Sequence, residues 1–208
     1  MSNTQKYSLA PIPPADWSDN IVNALSSFPG GLKYVSSHWQ ETGEIARGAY
    51  VLGTLAHHTD LAKAFLTFNN HVATNSTLSA RERELLILRI GWLRKCEYEY
   101  IQHVILGKRA GLLDDEIART QIGPDADDWT GQDATLMRVA DELNADARIG
   151  DSNMAELSKH YSAQQIMDMI FLIGCYESVA MAIKSFNIPL EPGSPTLDDE
   201  TRRKMFSQ

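Results

Sequence analysis

Apolar residues recur at helical spacing along most of the chain. Five apolar positions after His58 follow this spacing and predict an amphipathic helix, with Thr59 or Asp60 as its N-cap. Another helix is predicted to begin at Ser79, where Glu82 stands at the third helical position and completes a capping box. The chain is therefore expected to be built from helices with well-marked starts.

The remaining elements are also helical in pattern. A short helix is predicted before the Pro-Gly-Gly turn at 29–31, and Gly111 is expected to end the segment that begins near Cys96. Asp114 is predicted to cap the helix that follows, and an acidic loop with Pro124 comes next. Further helices are predicted around residues 136–143 and 154–157. The predicted fold class is all-α.

One pattern occurs twice in the chain at a constant offset, including the capping box. This suggests a duplicated helical hairpin, in which the second copy has become almost wholly apolar and suits a core helix or one buried between subunits. The recurring residues are Ser79, Ala80, Ile87, Ile90 and Gly91, matched by Ser162, Ala163, Ile170, Ile173 and Gly174.

Length and composition limit the possible classes of protein. A chain of 208 residues is long enough for one domain with a real core, so a single domain over 1–208 is predicted, with an N-terminal arm at 1–16 and a C-terminal arm at 189–208. The formal net charge is −8, and no segment concentrates Lys or Arg. Nucleic acid is therefore not expected as a partner.

The chain start and the cysteines indicate a cytoplasmic protein. The first residues do not resemble a signal peptide, and the most apolar run, 169–176, lies between Asp168 and Glu177, so no membrane association is expected. Two cysteines in such a chain are poor evidence for a disulfide. Cys175 lies in an apolar context that predicts a small buried side chain, whereas Cys96 has polar neighbours and its role stays open.

The candidate chemistry is concentrated in one segment that contains Glu84, Cys96, Glu99 and His103. Acids, a thiol and an imidazole are suited to proton transfer or thiol chemistry. Glu99 and His103 are four residues apart and share a helix face, so Glu99 is predicted to orient the imidazole. The alternative is an exposed ion pair that contributes roughly 0.3–0.5 kcal/mol and performs no chemistry.

Glu84 can join this group only if the helix breaks. Fifteen residues of unbroken helix would hold it about 22 Å from the pair. A break near Arg94 would place Glu84, ten residues before the turn, level with His103, nine residues after it. The alternative is that Glu84 pairs on the surface with Arg81 or Arg89.

Motifs for metals and nucleotides are missing from the sequence. None of the histidines repeats a metal-ligand spacing, and there is no cysteine pair, so no metal site is predicted. Glycine-rich phosphate-binding patterns are also absent, so no cofactor is expected.

Residues 55–117 and 140–191 resemble the carboxymuconolactone decarboxylase family, which includes the alkylhydroperoxidase D proteins. The resemblance covers most of the chain. It implies an alkylhydroperoxidase D-like helical bundle, assembly into homo-oligomers such as trimers or hexamers, and sites near subunit contacts.

The resemblance also separates two kinds of chemistry. The alkylhydroperoxidase D branch carries a Glu, then Cys-x-x-Cys, then a His four residues after the second cysteine. Glu84, Cys96 and His103 match this pattern, but Glu99 stands where the second, peroxide-attacking cysteine is required. The resemblance therefore argues against a peroxidase cycle of the family type. A Glu four residues before a His is instead typical of the decarboxylase branch.

The resemblance thus implies an enzyme that needs no cofactor and decarboxylates, cleaves or isomerises a small cyclic or aromatic-derived acid or lactone. His103 is the predicted general acid/base, Glu99 its orienting carboxylate and Glu84 a second acid, while Tyr98 and Trp92 are predicted to shape the substrate pocket. Arg89, Arg94 and Arg109 are candidates for binding a substrate carboxylate. The alternatives are an oxidoreductase related to thiol peroxidases, in which Cys96 is a lone reactive thiol, and a non-catalytic oligomer that binds a small ligand.

Overall fold

The computed structural model describes residues 7–207, and its regular elements in that range are helices, without a strand. The predicted all-α class is confirmed. A 3-10 turn (Pro14–Asp16) and a π-helical turn (His71–Asn75) accompany the α-helices. These α-helices are α1 (Asp19–Leu25), α2 (Pro29–Thr42), α3 (Ala49–Leu55), α4 (Thr59–Asn70), α5 (Ala80–Leu93), α6 (Glu97–Arg109), α7 (Asp114–Ile122), α8 (Gly131–Asp146), α9 (Asp151–His160), α10 (Ala163–Phe186) and α11 (Asp199–Ser207).

Contacts within the chain divide the described residues into two compact units. The first unit contains the residues up to His71 together with Met181–Pro195, and the second contains Val72–Ala180 together with the residues from Thr196 onward. The prediction of a single domain over 1–208 was based on length, and it stays a prediction. Residues 1–6 and 208 of the two predicted arms lie outside the described part of the chain.

The first unit is built from α1 to α4 around a small apolar core that includes Leu25, Leu52 and Leu66. The end of the predicted N-terminal arm packs inside this unit, where the amide of Ile12 donates to the carbonyl of Gly53 at 3.1 Å. A Cβ at Gly53 would lie 2.3 Å from the Ile12 carbonyl oxygen. The close approach of the arm therefore requires glycine at this position.

Two predicted boundaries in the first unit were wrong. The Pro-Gly-Gly segment begins α2 and is not the turn that was predicted there. Proline suits the first helical position because the backbone N–H that it lacks would have no partner within the helix, and its φ is already helical. His58, and not Thr59 or Asp60, caps α4, since its Nδ1 accepts from the amide of Leu61 at 3.3 Å. Histidine is not among the preferred N-cap residues, so sequence preference alone pointed elsewhere.

The second unit has α5 at its centre. Helices α6, α7 and α8 pack around it, and every residue from Leu85 to Trp92 is buried. A helix segment covered on all sides is apolar around its circumference, which explains the unbroken apolar run from Leu85 to Leu88. The predicted C-terminal arm ends in α11, whose Met205 is fully buried, so only the first part of that arm is extended.

The structure confirms both predicted capping boxes but not the duplicated hairpin. Ser79 pairs with Glu82, and Ser162 pairs with Gln165 in the same reciprocal way. However, α10 continues without a break to Phe186, so the second copy is one long helix. Nothing lies within 4 Å of a Cβ built on the second-copy glycine, Gly174, which is exposed.

The Ser79 capping box provides a direct test of how α5 begins. Replacing Ser79 with alanine removes the acceptor for the Glu82 amide, and we expect the free energy of unfolding to fall by about 1 kcal/mol. Urea unfolding of both proteins measures the change. Ser158→Ala, which removes an exposed hydroxyl inside α9, is the control and should change stability by less than about 0.5 kcal/mol. Equal losses in the two variants would contradict a specific capping effect.

Helix α10 is long and apolar enough to cross a membrane by length and composition. Its most apolar window has a mean hydropathy of 1.7, and 44% of that window is buried inside the protein. The core helix of a soluble protein meets the same criteria, so a single helix of this kind is weak evidence for a membrane span.

Candidate functional site

Helices α5 and α6 form the predicted hairpin, and the chain reverses at Arg94 as expected. Lys95 adopts a left-handed conformation with φ of 51°. Its amide donates to the carbonyl of Trp92, and the amide of Cys96 donates to the carbonyl of Gly91, each at 2.9 Å. This is the Schellman pattern of a helix C-terminus, and it lets α6 begin immediately after α5 ends.

The hairpin places Glu84 beside His103. Nδ1 of His103 lies 2.7 Å from Oε2 of Glu84, and the two side chains are 9% and 13% exposed. The alternative of a surface pair between Glu84 and an arginine is therefore wrong. An ionised carboxylate can only accept hydrogen bonds, so opposite an ionised Glu84 a neutral imidazole has its proton on Nδ1 and Nε2 as its basic nitrogen.

Glu99 does not contact His103 in the predicted way. It is 2% exposed, and neither carboxyl oxygen has a hydrogen-bond partner among the described residues. Its Oε1 lies 3.5 Å from the point where a Cβ of Gly91 would be, so the side chain points at bare α5 backbone. The prediction that Glu99 orients His103 is wrong, because Glu84 occupies that position from the neighbouring helix. The exposed ion pair considered as the alternative is also wrong.

Burial gives the two carboxyl groups different character. Desolvation raises the pKa of Glu99 well above its ordinary value of 4.5, so the group favours its neutral form. Glu84 instead has the imidazole of His103 within hydrogen-bond distance. Two carboxyl groups whose surroundings differ in this way can perform different tasks in one site.

Tyr176 is the residue that sequence reasoning missed. Its ring lies perpendicular to the imidazole of His103, with the ring centroids 4.9 Å apart. Burial raises the pKa of the Tyr176 hydroxyl well above its ordinary value of 10.0, and the nearby Glu84 carboxylate adds to this effect. No local signal marked Tyr176, because it ends an apolar run that is typical of a core helix.

The two predicted pocket residues lie inside the packed hairpin. Trp92 is 1% exposed and its ring packs on Tyr100 with centroids 5.4 Å apart. Nε1 of Trp92 has no hydrogen-bond partner among the described residues. Tyr98 is also buried. That these two side chains contact a substrate stays a prediction.

Both cysteines are buried thiols, which confirms the prediction for Cys175. Cys96 occupies the N-cap position of α6, directly after the left-handed Lys95. A helix N-terminus stabilises negative charge, but attack by a thiolate also requires access from solvent. The position of Cys96 therefore satisfies one of the two conditions for a reactive thiol.

Two of the three candidate arginines have structural partners. Arg89 binds Asp141 through two nitrogens and donates to the carbonyls of Thr120 and Gln121 at the end of α7. Arg94 pairs with Glu177 of α10. Arg89 and Arg94 are therefore unsuited to binding a substrate carboxylate without losing these contacts, and Arg109 is exposed.

Within residues 7–207, no group of three or more His, Cys, Asp or Glu side chains is arranged to hold a metal ion. Glu84, Cys96, Glu99 and His103 can supply acid/base and thiol chemistry.

The hairpin lies within the part of the chain that matches a known family model. The model of the carboxymuconolactone decarboxylase family matches residues 59–142, which include Glu84, Cys96, Glu99 and His103. A comparison with curated protein sequences gives no match.

Several solved structures have the same fold. A peroxidase-related protein with an alkylhydroperoxidase AhpD core from Ralstonia eutropha JMP134 is 14% identical, with a TM-score of 0.70, and the match covers 96% of this chain and 97% of the other. A peroxidase-related protein from Silicibacter sp. TM1040 is 15% identical, with a TM-score of 0.68 and coverage of 92% and 97%. The debrominase Bmp8 is 12% identical, with a TM-score of 0.69 and coverage of 94% and 96%. These similarities establish an alkylhydroperoxidase D-like fold.

Proposed function

We propose that this chain is an acid/base enzyme of the carboxymuconolactone decarboxylase type, because the model of that family matches residues 59–142. Its substrate is a small cyclic or aromatic-derived acid or lactone, on which it performs a decarboxylation, lyase or isomerase step. The observation that carries the proposal is the contact of 2.7 Å between His103 Nδ1 and Glu84 Oε2 in a largely buried setting.

The pair supplies a proton carrier suited to reaction at carbon. Nδ1 of His103 donates a hydrogen bond to Glu84, so Nε2 is the nitrogen that accepts or delivers the transferred proton. In a decarboxylation, the bond to the carboxylate carbon breaks, carbon dioxide leaves, and the electron pair remains on the substrate as a dienolate. The imidazolium then gives its Nε2 proton to carbon and becomes neutral, and a proton from solvent restores it.

The two carboxyl groups exchange the roles predicted from sequence. Glu84 is the carboxylate that orients His103 and stabilises its cation, and Glu99 is the neutral acid at the base of the hairpin. A second ionised carboxylate in this buried space would repel Glu84. With Glu99 neutral, the positive charge of the imidazolium is balanced by the single negative charge of Glu84.

A thiol-dependent oxidoreductase is the second candidate. It is favoured by the N-cap position of Cys96 and by the peroxidase-related structures that share the fold. In that reaction the Cys96 thiolate attacks a peroxide oxygen, the O–O bond breaks, and the other oxygen leaves as an alcohol or water. An external thiol then condenses with the sulfenic acid to a mixed disulfide and water, and a second thiol releases Cys96 as the other thiols form a disulfide. Glu99 in place of a second nearby thiol counts against this candidate.

One assay in deuterated buffer separates the two candidates. With a carboxylated butenolide lactone as probe, the acid/base enzyme should release carbon dioxide and incorporate deuterium at carbon, and Cys96→Ala should retain this turnover within about threefold because no proton passes through the thiol. NMR measures the deuterium. Peroxide consumption that requires an added thiol and is lost in Cys96→Ala, without deuterium incorporation, would overturn the proposal.

The homo-oligomeric assembly and the small-molecule substrate that the resemblance implied stay predictions, and so does the cytoplasmic location expected from the sequence.

A further inference from the structure

Helix α10 is fastened to both ends of α5 by polar contacts. Oδ2 of Asp168 accepts from the amide of Thr77 at 2.6 Å and from the hydroxyls of Ser76 and Thr77. These residues come just before α5. Nine residues further along α10, Glu177 pairs with Arg94, which caps the C-terminal end of α5. The part of α10 between these two contacts is therefore held against the hairpin.

Tyr176 lies next to the second of these contacts, and its ring meets the imidazole of His103 at 90°. Glu84 fixes the imidazole at one atom only, Nδ1. A single hydrogen bond leaves rotation about that bond possible, because the terminal torsion of histidine has a broad energy minimum. A perpendicular ring packed against the imidazole opposes this rotation.

We propose that Tyr176 is a positioning residue that fixes the plane of the His103 ring, so that Glu84 and Tyr176 together aim Nε2 at the substrate. This role depends on the proposed acid/base function for its effect on rate, but the restraint on the imidazole exists without a substrate. Displacement of a catalytic group by about 1 Å can cost about 100-fold in rate, so a restraint of this kind matters for catalysis.

The aromatic ring of Tyr176 performs this role, and the hydroxyl does not. The charged and titratable groups that act on the hydroxyl are Glu84 and Arg83 from α5, Glu99 from α6 and the neighbouring Cys175. With burial, their combined effect is to raise the pKa of the hydroxyl, so it keeps its proton and is unsuited to act as a base. Phenylalanine should therefore replace tyrosine with little loss.

The variants are Tyr176→Phe and Tyr176→Leu. We expect Tyr176→Phe to keep kcat within about twofold, and Tyr176→Leu to lower kcat about tenfold with little change in KM, because the leucine side chain cannot restrain the plane of the imidazole. Tyr100→Leu is the matched control. It also removes a buried phenol ring from the second unit, but that ring packs on Trp92 and not on His103.

NMR provides a readout that does not depend on turnover. In the parent protein, the Nδ1 proton of His103 should give a downfield signal that exchanges slowly, and the two rings should show a nuclear Overhauser effect. The downfield signal should broaden in Tyr176→Leu and persist in Tyr176→Phe and Tyr100→Leu. The parent measurement needs no variant, so it tests the proposal even if Tyr176→Leu fails to fold.

The outcomes separate the two proposals. Absence of the ring-to-ring effect in the parent, or an unchanged His103 signal and kcat in a folded Tyr176→Leu, would overturn the role of Tyr176. If the His103 signal responds as expected but neither the parent nor any variant turns over a lactone or exchanges deuterium, the restraint stands and the proposed reaction is wrong.

Discussion

Replacing His103 with alanine is expected to lower kcat/KM about 1,000-fold, and replacing Glu84 with glutamine about 100-fold, because the two side chains form one proton-transfer unit. Alanine removes the proton carrier. Glutamine can still accept from Nδ1, but it lacks the negative charge that stabilises the imidazolium. Steady-state turnover of the lactone probe, with deuterium incorporation at carbon, measures both effects.

The two carboxyl groups can be distinguished by the same substitution. Glu99→Gln exchanges one neutral group for another of the same shape, so it should reduce kcat/KM much less than Glu84→Gln does. Glu82→Gln is the control for a change of charge on α5 outside the site, since Glu82 binds the Ser79 amide and the hydroxyl of Tyr161. If Glu99→Gln lost more activity than Glu84→Gln, the assignment of roles would be reversed.

Local sequence signals predicted the hairpin that carries the site. The capping box at Ser79 predicted the start of α5, and the polar pair of Arg94 and Lys95 was compatible with an end there. On the condition of a break at Arg94, counting residues on each side of the turn placed Glu84 level with His103. This inference needed only helix geometry, which is why it agrees with the structure.

The choice of carboxylate for His103 could not be made from spacing. Glu99 shares a face of α6 with His103, and Glu84 reaches the same imidazole across the hairpin. The residue spacing was therefore compatible with either contact. The packing of two helices decided between them. Gly91 leaves room beside α5 for the Glu99 side chain, and Glu84 takes the position at Nδ1.

Tyr176 was beyond sequence reasoning for a different reason. It is far from His103 along the chain, and its contact depends on how α10 is fastened through Asp168 and Glu177. Both anchoring acids were read only as the polar ends of an apolar run. Contacts between distant helices leave no periodic trace in the sequence, whereas starts, ends and faces of single helices do.

Glu99→Gln is expected to stabilise the protein at neutral pH, and the gain should grow as the pH rises. Below pH 4.5, the ordinary pKa of the group, the carboxyl is protonated in both the folded and the unfolded chain. Above it, the unfolded chain loses this proton while the buried group keeps it. The parent should therefore lose up to about 1.4 kcal/mol of stability per pH unit, until the pH passes the raised pKa of the folded protein.

Glutamine does not titrate, so the variant avoids this loss. Urea unfolding of parent and variant at several pH values between 4 and 8 measures the difference in the free energy of unfolding. Glu156→Gln is the control, because Lys159 lowers the pKa of that exposed carboxyl. Its effect on the pH dependence of stability therefore has the opposite sign to that of Glu99. The Glu156 charge contributes its small stabilisation above the ordinary pKa and loses it as the pH falls. A difference between the parent and Glu99→Gln that stays constant across this range would mean that Glu99 ionises in the folded protein as it does in the unfolded chain. In that case the site would hold two carboxylates, and the division of roles between Glu84 and Glu99 would have no electrostatic basis.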